Sequence, residues 1–93
     1  MSLAKEDKDK IIKKYKLHDS DTGSSEVQIA ILTAEIEQLT DHLKTHKKDF
    51  SSRRGLLRKV VQRHHLLRYL QRENQQGFEE LAKKLKHKVA SAS

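Results

Sequence analysis

Cysteine, proline and tryptophan are all missing from these 93 residues, and only three glycines are present. Without cysteine there is no disulfide framework and no thiolate metal site, a composition that suits a reducing compartment. Without proline, helices must be stopped by glycine and by capping side chains. Aromatic residues make up 4% and all hydrophobic residues 34%, against 35% charged, so the core must be thin. A unit this small and polar is expected to draw part of its order from a bound partner. No apolar run approaches the roughly 20 residues of a membrane span. The opening Met1-Ser2-Leu3-Ala4-Lys5-Glu6-Asp7-Lys8 alternates charge sign and lacks the apolar segment of a signal peptide. The expected location is the compartment where the chain is made. Glycine-rich phosphate loops, nucleophile elbows and paired carboxylates are lacking too. No enzymatic activity, cofactor or small-molecule substrate is expected.

What is present is positive charge, unevenly placed. The net charge is +7. Residues 1–20 carry +2, and residues 21–46 carry −4, with Lys44 against Asp21, Glu26, Glu35, Glu37 and Asp41. Residues 47–74 carry +7, nine bases against Asp49 and Glu73, and residues 75–93 carry +2. Such a concentration goes beyond what solubility requires and favours a nucleic acid as partner, ahead of an anionic membrane surface.

Apolar spacing predicts four helices and no strands, within a single domain spanning 1–93. The first covers about 4–16, with Ile11, Ile12 and Tyr15 as its apolar face. His18 to Gly23 reads as a polar loop. Ser24 is placed to cap a second helix, and Glu26 sits well against its positive N-terminal dipole. Ile29, Leu32, Ile36, Leu39 and Leu43 then make one stripe at alternating three- and four-residue spacing, as in an antiparallel bundle. Thr45 to Lys48 is a turn, and Asp49 can cap a third helix running to about Asn74. Asn74 to Gly77 breaks the pattern before Phe78, Leu81, Ala82, Leu85 and Val89 mark a fourth helix. The expected class is all-α.

At about 100° per residue, Arg54, Arg58, His65, Arg68, Tyr69 and Arg72 fall within roughly a third of the third helix's circumference. Leu56, Val60, Leu67 and Leu70 fall opposite. The basic face is about 27 Å long and spans several phosphates. A solvated polar face has the same appearance, but four arginines with no acid among them leave repulsion unrelieved, and arginine suits phosphate or base-edge contacts. Arg63 points toward the apolar side, to snorkel or to pair with an acid of the second helix. On the second helix Gln28, Glu35 and His42 line one flank at seven-residue intervals, so Gln28 and His42 stand about 21 Å apart, with Asp49 and Ser52 at the next turn. Two separated polar clusters can touch two places on one folded RNA; ordinary surface residues would read the same. Asp49 serves equally as a helix cap or as an acceptor, and Tyr69 as a stacking platform or a packing residue. His42 and His46 have a zinc-compatible spacing but no clear third ligand, and no metal is expected.

Asp21-Thr22-Gly23-Ser24-Ser25-Glu26-Val27-Gln28, then His46-Lys47-Lys48-Asp49, then Ser52-Arg53-Arg54-Gly55-Leu56-Leu57, closely resemble the family of bacterial-type small-subunit ribosomal protein fifteen. The likeness runs from about Thr22 to Arg72 and takes in Gln62-Arg63, Leu66-Leu67 and Tyr69-Leu70. Each motif is weak alone; their order and spacing are specific. The resemblance implies a four-helix protein with three longer helices in an antiparallel bundle and a short N-terminal one. It implies a structural component of the small ribosomal subunit, in a cytoplasmic ribosome or an organellar one. Small-subunit ribosomal RNA would be the partner, bound at a three-way junction of the central domain and on an adjoining duplex during early assembly. Neighbouring ribosomal proteins and large-subunit RNA across the interface are further implied partners.

By the same resemblance the junction contacts are Thr22, Gly23, Gln28 and Tyr69, and the duplex contacts are His42, Asp49 and Ser52, which read a G·U/G·C step from the minor groove. The wide, shallow minor groove of A-form RNA suits short polar side chains. Lys47, Lys48, Arg53, Arg54, Arg58, His65, Arg68 and Arg72 are the candidate phosphate contacts. The chain departs from the family at Phe50 and Ser51, where histidines or polar residues are common, and at His64 and His65, commonly Arg or Lys. Arg68 stands where an acid is common and can restore charge one turn onward. A helical module that docks onto another protein is the alternative, and a helix-turn-helix DNA binder comes third because the basic face spans a whole long helix.

Overall fold

The computed structural model describes residues 3–15 and 24–85, and these form four helices. They are α1 (Lys5–Tyr15), α2 (Ser25–Thr45), α3 (Phe50–Glu73) and α4 (Gln75–Leu85). The all-α class is as expected, and no strand occurs among the described residues. The polar loop expected from His18 to Gly23, and the apolar position Val89, lie outside the described residues.

Capping side chains set the helix ends, as a proline-free chain requires. Ser24 caps α2, its hydroxyl accepting from the Val27 N–H at 3.3 Å. Asp49 caps α3, its Oδ1 accepting from the Ser52 N–H at 3.0 Å. Each satisfies a backbone donor that the first helical turn leaves without a partner. Asn74 does two jobs. Its own N–H donates to Leu70 O at 2.7 Å and closes α3, while its Oδ1 accepts from the Gly77 N–H at 3.0 Å and opens α4. The break expected over Asn74 to Gly77 is thereby confined to one residue, and Gly77 is inside α4. A Cβ on Gly77 would come within 2.6 Å of the Asn74 side chain, so glycine makes room for that cap.

The helices α2 and α3 run antiparallel. As the chain advances along α2, its partners on α3 retreat: Thr33 meets Arg63, Glu35 meets Lys59, and His42 meets Asp49. The apolar stripe of α2 faces inward, with Ile29, Leu32 and Leu39 buried and Ile36 and Leu43 half-buried. Leu67 and Leu70 of α3 are buried, with Leu56 and Val60 half-buried. The main core cluster gathers at one end of this pair. There Val27, Ile29 and Ala30 of α2 and Leu67 and Leu70 of α3 meet Tyr15 of α1 and Leu81 and Leu85 of α4. Val27 and Ile29 are fully enclosed, and burying each contributes roughly 1.5–3 kcal/mol. Among the described residues, the opposite end of the pair, where residues 46–49 turn the chain, is made by α2 and α3 alone.

Arg63 lies in the seam midway. It is buried, and its Nη1 donates to the Thr33 hydroxyl at 3.2 Å. Thr33 Oγ1 in turn donates to Ile29 O at 2.8 Å, so the hydroxyl is used in both directions. Of the two roles open to Arg63, pairing with an acid of α2 is not found among the described residues; the buried Glu35 is instead held by Lys59 at 3.2 Å. Arg63 Nε has no partner. Burial holds the Arg63 pKa below the ordinary arginine value.

Candidate nucleic-acid interface

Three residues from the two sides of the α2–α3 turn form one hydrogen-bonded group. Asp49, as the cap of α3, has its carboxylate fixed from below by Ser52: the backbone N–H reaches Oδ1 at 3.0 Å and the hydroxyl donates to Oδ2 at 2.6 Å. From across the turn, His42 Nε2 lies 2.8 Å from the same Oδ2. The Ser52 hydroxyl, the Ser52 N–H and His42 together hold the Asp49 carboxyl far below the usual carboxylate range. It is therefore ionised at neutral pH, so the hydrogen between it and His42 belongs to the imidazole.

Lone pairs show what the group can offer a ligand. Oδ2 accepts from both His42 and Ser52, and Oδ1 accepts only from the Ser52 N–H. One lone pair on Oδ1, the lone pairs of Ser52 Oγ and the second ring nitrogen of His42 remain. These are short, held, mostly accepting groups, suited to amino and hydroxyl donors rather than to phosphate oxygens. Both side chains of the His42–Asp49 pair retain access to solvent, at 19% and 34%. Sequence spacing placed His42, Asp49 and Ser52 near one another; their joining through a single carboxylate depends on how the two helices face across the turn.

The second cluster lies toward the four-helix end. Gln28 is exposed on α2, and Tyr69 is 50% exposed on α3. The Arg72 guanidinium carbon stands 5.8 Å from the Tyr69 ring centroid, within cation–π range. Thr22 and Gly23 lie outside the described residues. Beside Gln28 lies a shallow trough of about 220 Å³, lined by Gln28, Ile31, Leu32, Glu35, Lys59 and Gln62. Glu35, expected on the surface with Gln28 and His42, is instead buried beneath Lys59. Lys59 was not singled out by the sequence; its position one turn from Arg63 on the α2-facing flank was the available signal.

The arginine face is on the outside of α3. Arg54, Arg58, His65, Arg68 and Arg72 are all exposed, as are His64, Lys47 and Lys48. Arg53 is also exposed, but its Nη2 donates to Lys47 O at 2.9 Å and braces the turn. Arg72 has Glu73 at 3.4 Å, an exposed pair of little energetic weight. The sequence reading passed over the exposed apolar residues on this helix, Phe50, Leu57 and Val61. Leu57 and Val61 line a shallow depression of about 480 Å³ with Arg58, Gln62 and His65. Their seven- and four-residue spacing, on the side away from Leu67 and Leu70, would have revealed them.

The zinc-compatible spacing of His42 and His46 has a different use here. Their rings stack face to face, with centroids 4.2 Å apart and planes within 8°. In-plane lone pairs on parallel rings point along parallel planes rather than converging on one ion. Among the described residues, no group of three or more His, Cys, Asp or Glu side chains is arranged to hold a metal. No helix among them is long and apolar enough to cross a membrane.

The sequence profile described as Ribosomal protein S15 matches residues 8–88. The small ribosomal subunit protein uS15 of Staphylococcus carnosus (strain TM300) is 58% identical over 85 residues, covering 91% of this chain and 96% of its own length. The protein of the same name from Carboxydothermus hydrogenoformans is 59% identical over the same shares. That of Staphylococcus aureus (strain JH9) is 55% identical, again over 91% and 96%.

Proposed function

The chain belongs to the ribosomal protein S15 family, and from that premise we propose that it is a structural, non-catalytic RNA-binding component of the small ribosomal subunit, recognising one folded RNA at two places. Gln28 and Tyr69, with Thr22 and Gly23, contact a three-way junction of the central domain. His42, Asp49 and Ser52 read a G·U/G·C step in the minor groove of an adjoining duplex. The exposed arginines, with Lys47, Lys48 and His65, take the phosphates between. Binding at both places fixes the junction arms relative to each other, which is how such a protein would aid assembly of the subunit's platform. One observation carries this reading: the solvent-accessible His42–Asp49–Ser52 group at the turn stands apart, along one α2–α3 pair, from the exposed Gln28 and Tyr69, with exposed arginines on the outer side of α3.

The chemistry divides the labour. Arginines supply sequence-independent attraction that depends steeply on salt. The carboxylate, hydroxyl and imidazole accept from guanine amino groups and 2′-hydroxyls, which a wide A-form minor groove exposes. Tyr69 offers a face for a base or sugar. The test is filter binding of junction RNA and of random duplex across a salt series. A steep salt slope is expected, with Gln28→Ala or His42→Ala weakening cognate binding more than random binding. Equal losses on both RNAs would reduce those residues to general surface, and a flat slope would overturn the arginine role.

A second reading has its own support in Phe50, Leu57 and Val61, an apolar strip on the outer side of α3. Leu57 and Val61 are aliphatic, poor stacking partners for bases but good ones for protein, and Phe50 extends the strip. This strip is where a neighbouring small-subunit protein would dock; large-subunit RNA across the interface would favour the charged faces. A contact that persists in high salt and after nuclease treatment would mark the protein-borne one.

A further inference from the structure

We propose that His46 is a positioning residue for the duplex-reading group: stacked on His42, it holds that imidazole in the plane that keeps Nε2 on Asp49. The inference deepens the reading above and rests on it for its link to RNA. His46 is exposed; its backbone carbonyl accepts from the Asp49 N–H at 3.1 Å, while its ring meets His42 and not Asp49 or Ser52, so what the side chain adds passes through His42.

Backbone and ring contacts both hold His46 at the end of α2. Its own backbone N–H donates to His42 O at 3.0 Å, ending α2. Its Nδ1 lies 3.1 Å from the same carbonyl and 2.9 Å from Thr45 Oγ1. Thr45 Oγ1 donates to that carbonyl as well, at 3.2 Å. A carbonyl oxygen can only accept, so a bare Nδ1 lone pair beside it would be repelled. A hydrogen on His46 Nδ1 is compatible with both the carbonyl and the Thr45 hydroxyl. The ring is then pinned along one edge to the last turn of α2, and its face is laid flat on His42 at 4.2 Å.

A histidine in a helix otherwise has freedom about its terminal torsion, whose wells are broad. The His42–Asp49 hydrogen bond alone restrains the ring at one atom. Stacking adds a restraint on the plane, and the two together define where the second ring nitrogen of His42 stands. That nitrogen is one of the few polar atoms in the group not already used within the protein. Discrimination between base pairs needs such an atom to be held, because an unpaired donor on the wrong pair must find no second arrangement that satisfies it.

The test compares wild type, His46→Ala and His46→Phe, the last keeping an aromatic face without the nitrogens. In the free protein, nitrogen-correlated NMR of the His42 ring should show its Nε2-bound hydrogen clearly in wild type. That signature is expected to move or broaden in His46→Ala and to return in His46→Phe. The ratio of affinities for the cognate duplex and for the same duplex with its G·U pair made G·C should fall by about twofold to tenfold in His46→Ala, the worth of an aromatic pair. It should be restored in His46→Phe. If wild type prefers the cognate step and His46→Ala keeps both that preference and the His42 signature, the proposal is overturned. If the His42 signature moves as expected but wild type shows no preference at all, positioning stands and the minor-groove reading fails.

Discussion

At one end of the α2–α3 pair four helices close on Val27, Ile29, Leu67, Leu70 and Leu81, and at the other two helices meet across His42, Asp49 and Ser52. The first end is held by apolar burial, which is non-directional and indifferent to pH. The second is held by hydrogen bonds to one carboxylate, which fix atoms closely but depend on its charge. A two-helix tip has too little area for a core of its own, so direction replaces area there. That suits the base-pair reading proposed for the tip, whereas the four-helix end needs only to keep α2 and α3 in place.

The contrast can be broken most forcefully at the four-helix end. Leu81 is 2% exposed in the centre of the cluster, and Leu81→Ala should cost about 2–5 kcal/mol in urea unfolding. A loss below 1 kcal/mol, against that expectation, would mean the apolar end is not what holds the pair together. Asp49→Asn, at the tip, keeps a capping side chain but removes the charge. The folded-state pKa of Asp49 lies below its unfolded value, so the charge stabilises the fold above about pH 4. That contribution fades as pH falls through the depressed folded value. Wild type should therefore exceed Asp49→Asn in stability by a constant margin from neutral pH down to about pH 5, and the margin should shrink below about pH 4. A margin independent of pH throughout would break the assignment of the tip to charge. The smallest change is expected from Arg58→Gln on the exposed face, which should lower the salt slope of RNA binding by about one and leave stability and base-pair preference where they were.

How much of this was readable beforehand also divides by end. The caps at Ser24 and Asp49, the stripe from Ile29 to Leu43 and the outward arginines follow from local spacing, and the structure keeps them. Asn74 was harder. Asn-Gln-Gln-Gly has the composition of a loop, and only the geometry shows one side chain ending α3 and starting α4. Arg63 was legible as an inward-leaning charge and Glu35 was not, because which cation reaches the acid and covers it depends on the register between helices. The same dependence hid the stacking of His46 on His42, which the i, i+4 spacing suggested first as a metal pair.

The order of packing has a kinetic consequence. Each helix lies against its neighbour in sequence, α1 on α2, α2 on α3 and α3 on α4, with one residue joining the last two. Contacts that are close in sequence close small loops, and helical folds of this type form within about microseconds to milliseconds. No proline is present, so no step waits the roughly 10–100 s of peptide-bond isomerisation. Synthesis delivers only about 5–20 residues per second. Synthesis rather than folding therefore sets the pace, and the turn between α2 and α3 is fixed as soon as the four-helix end can close on α4.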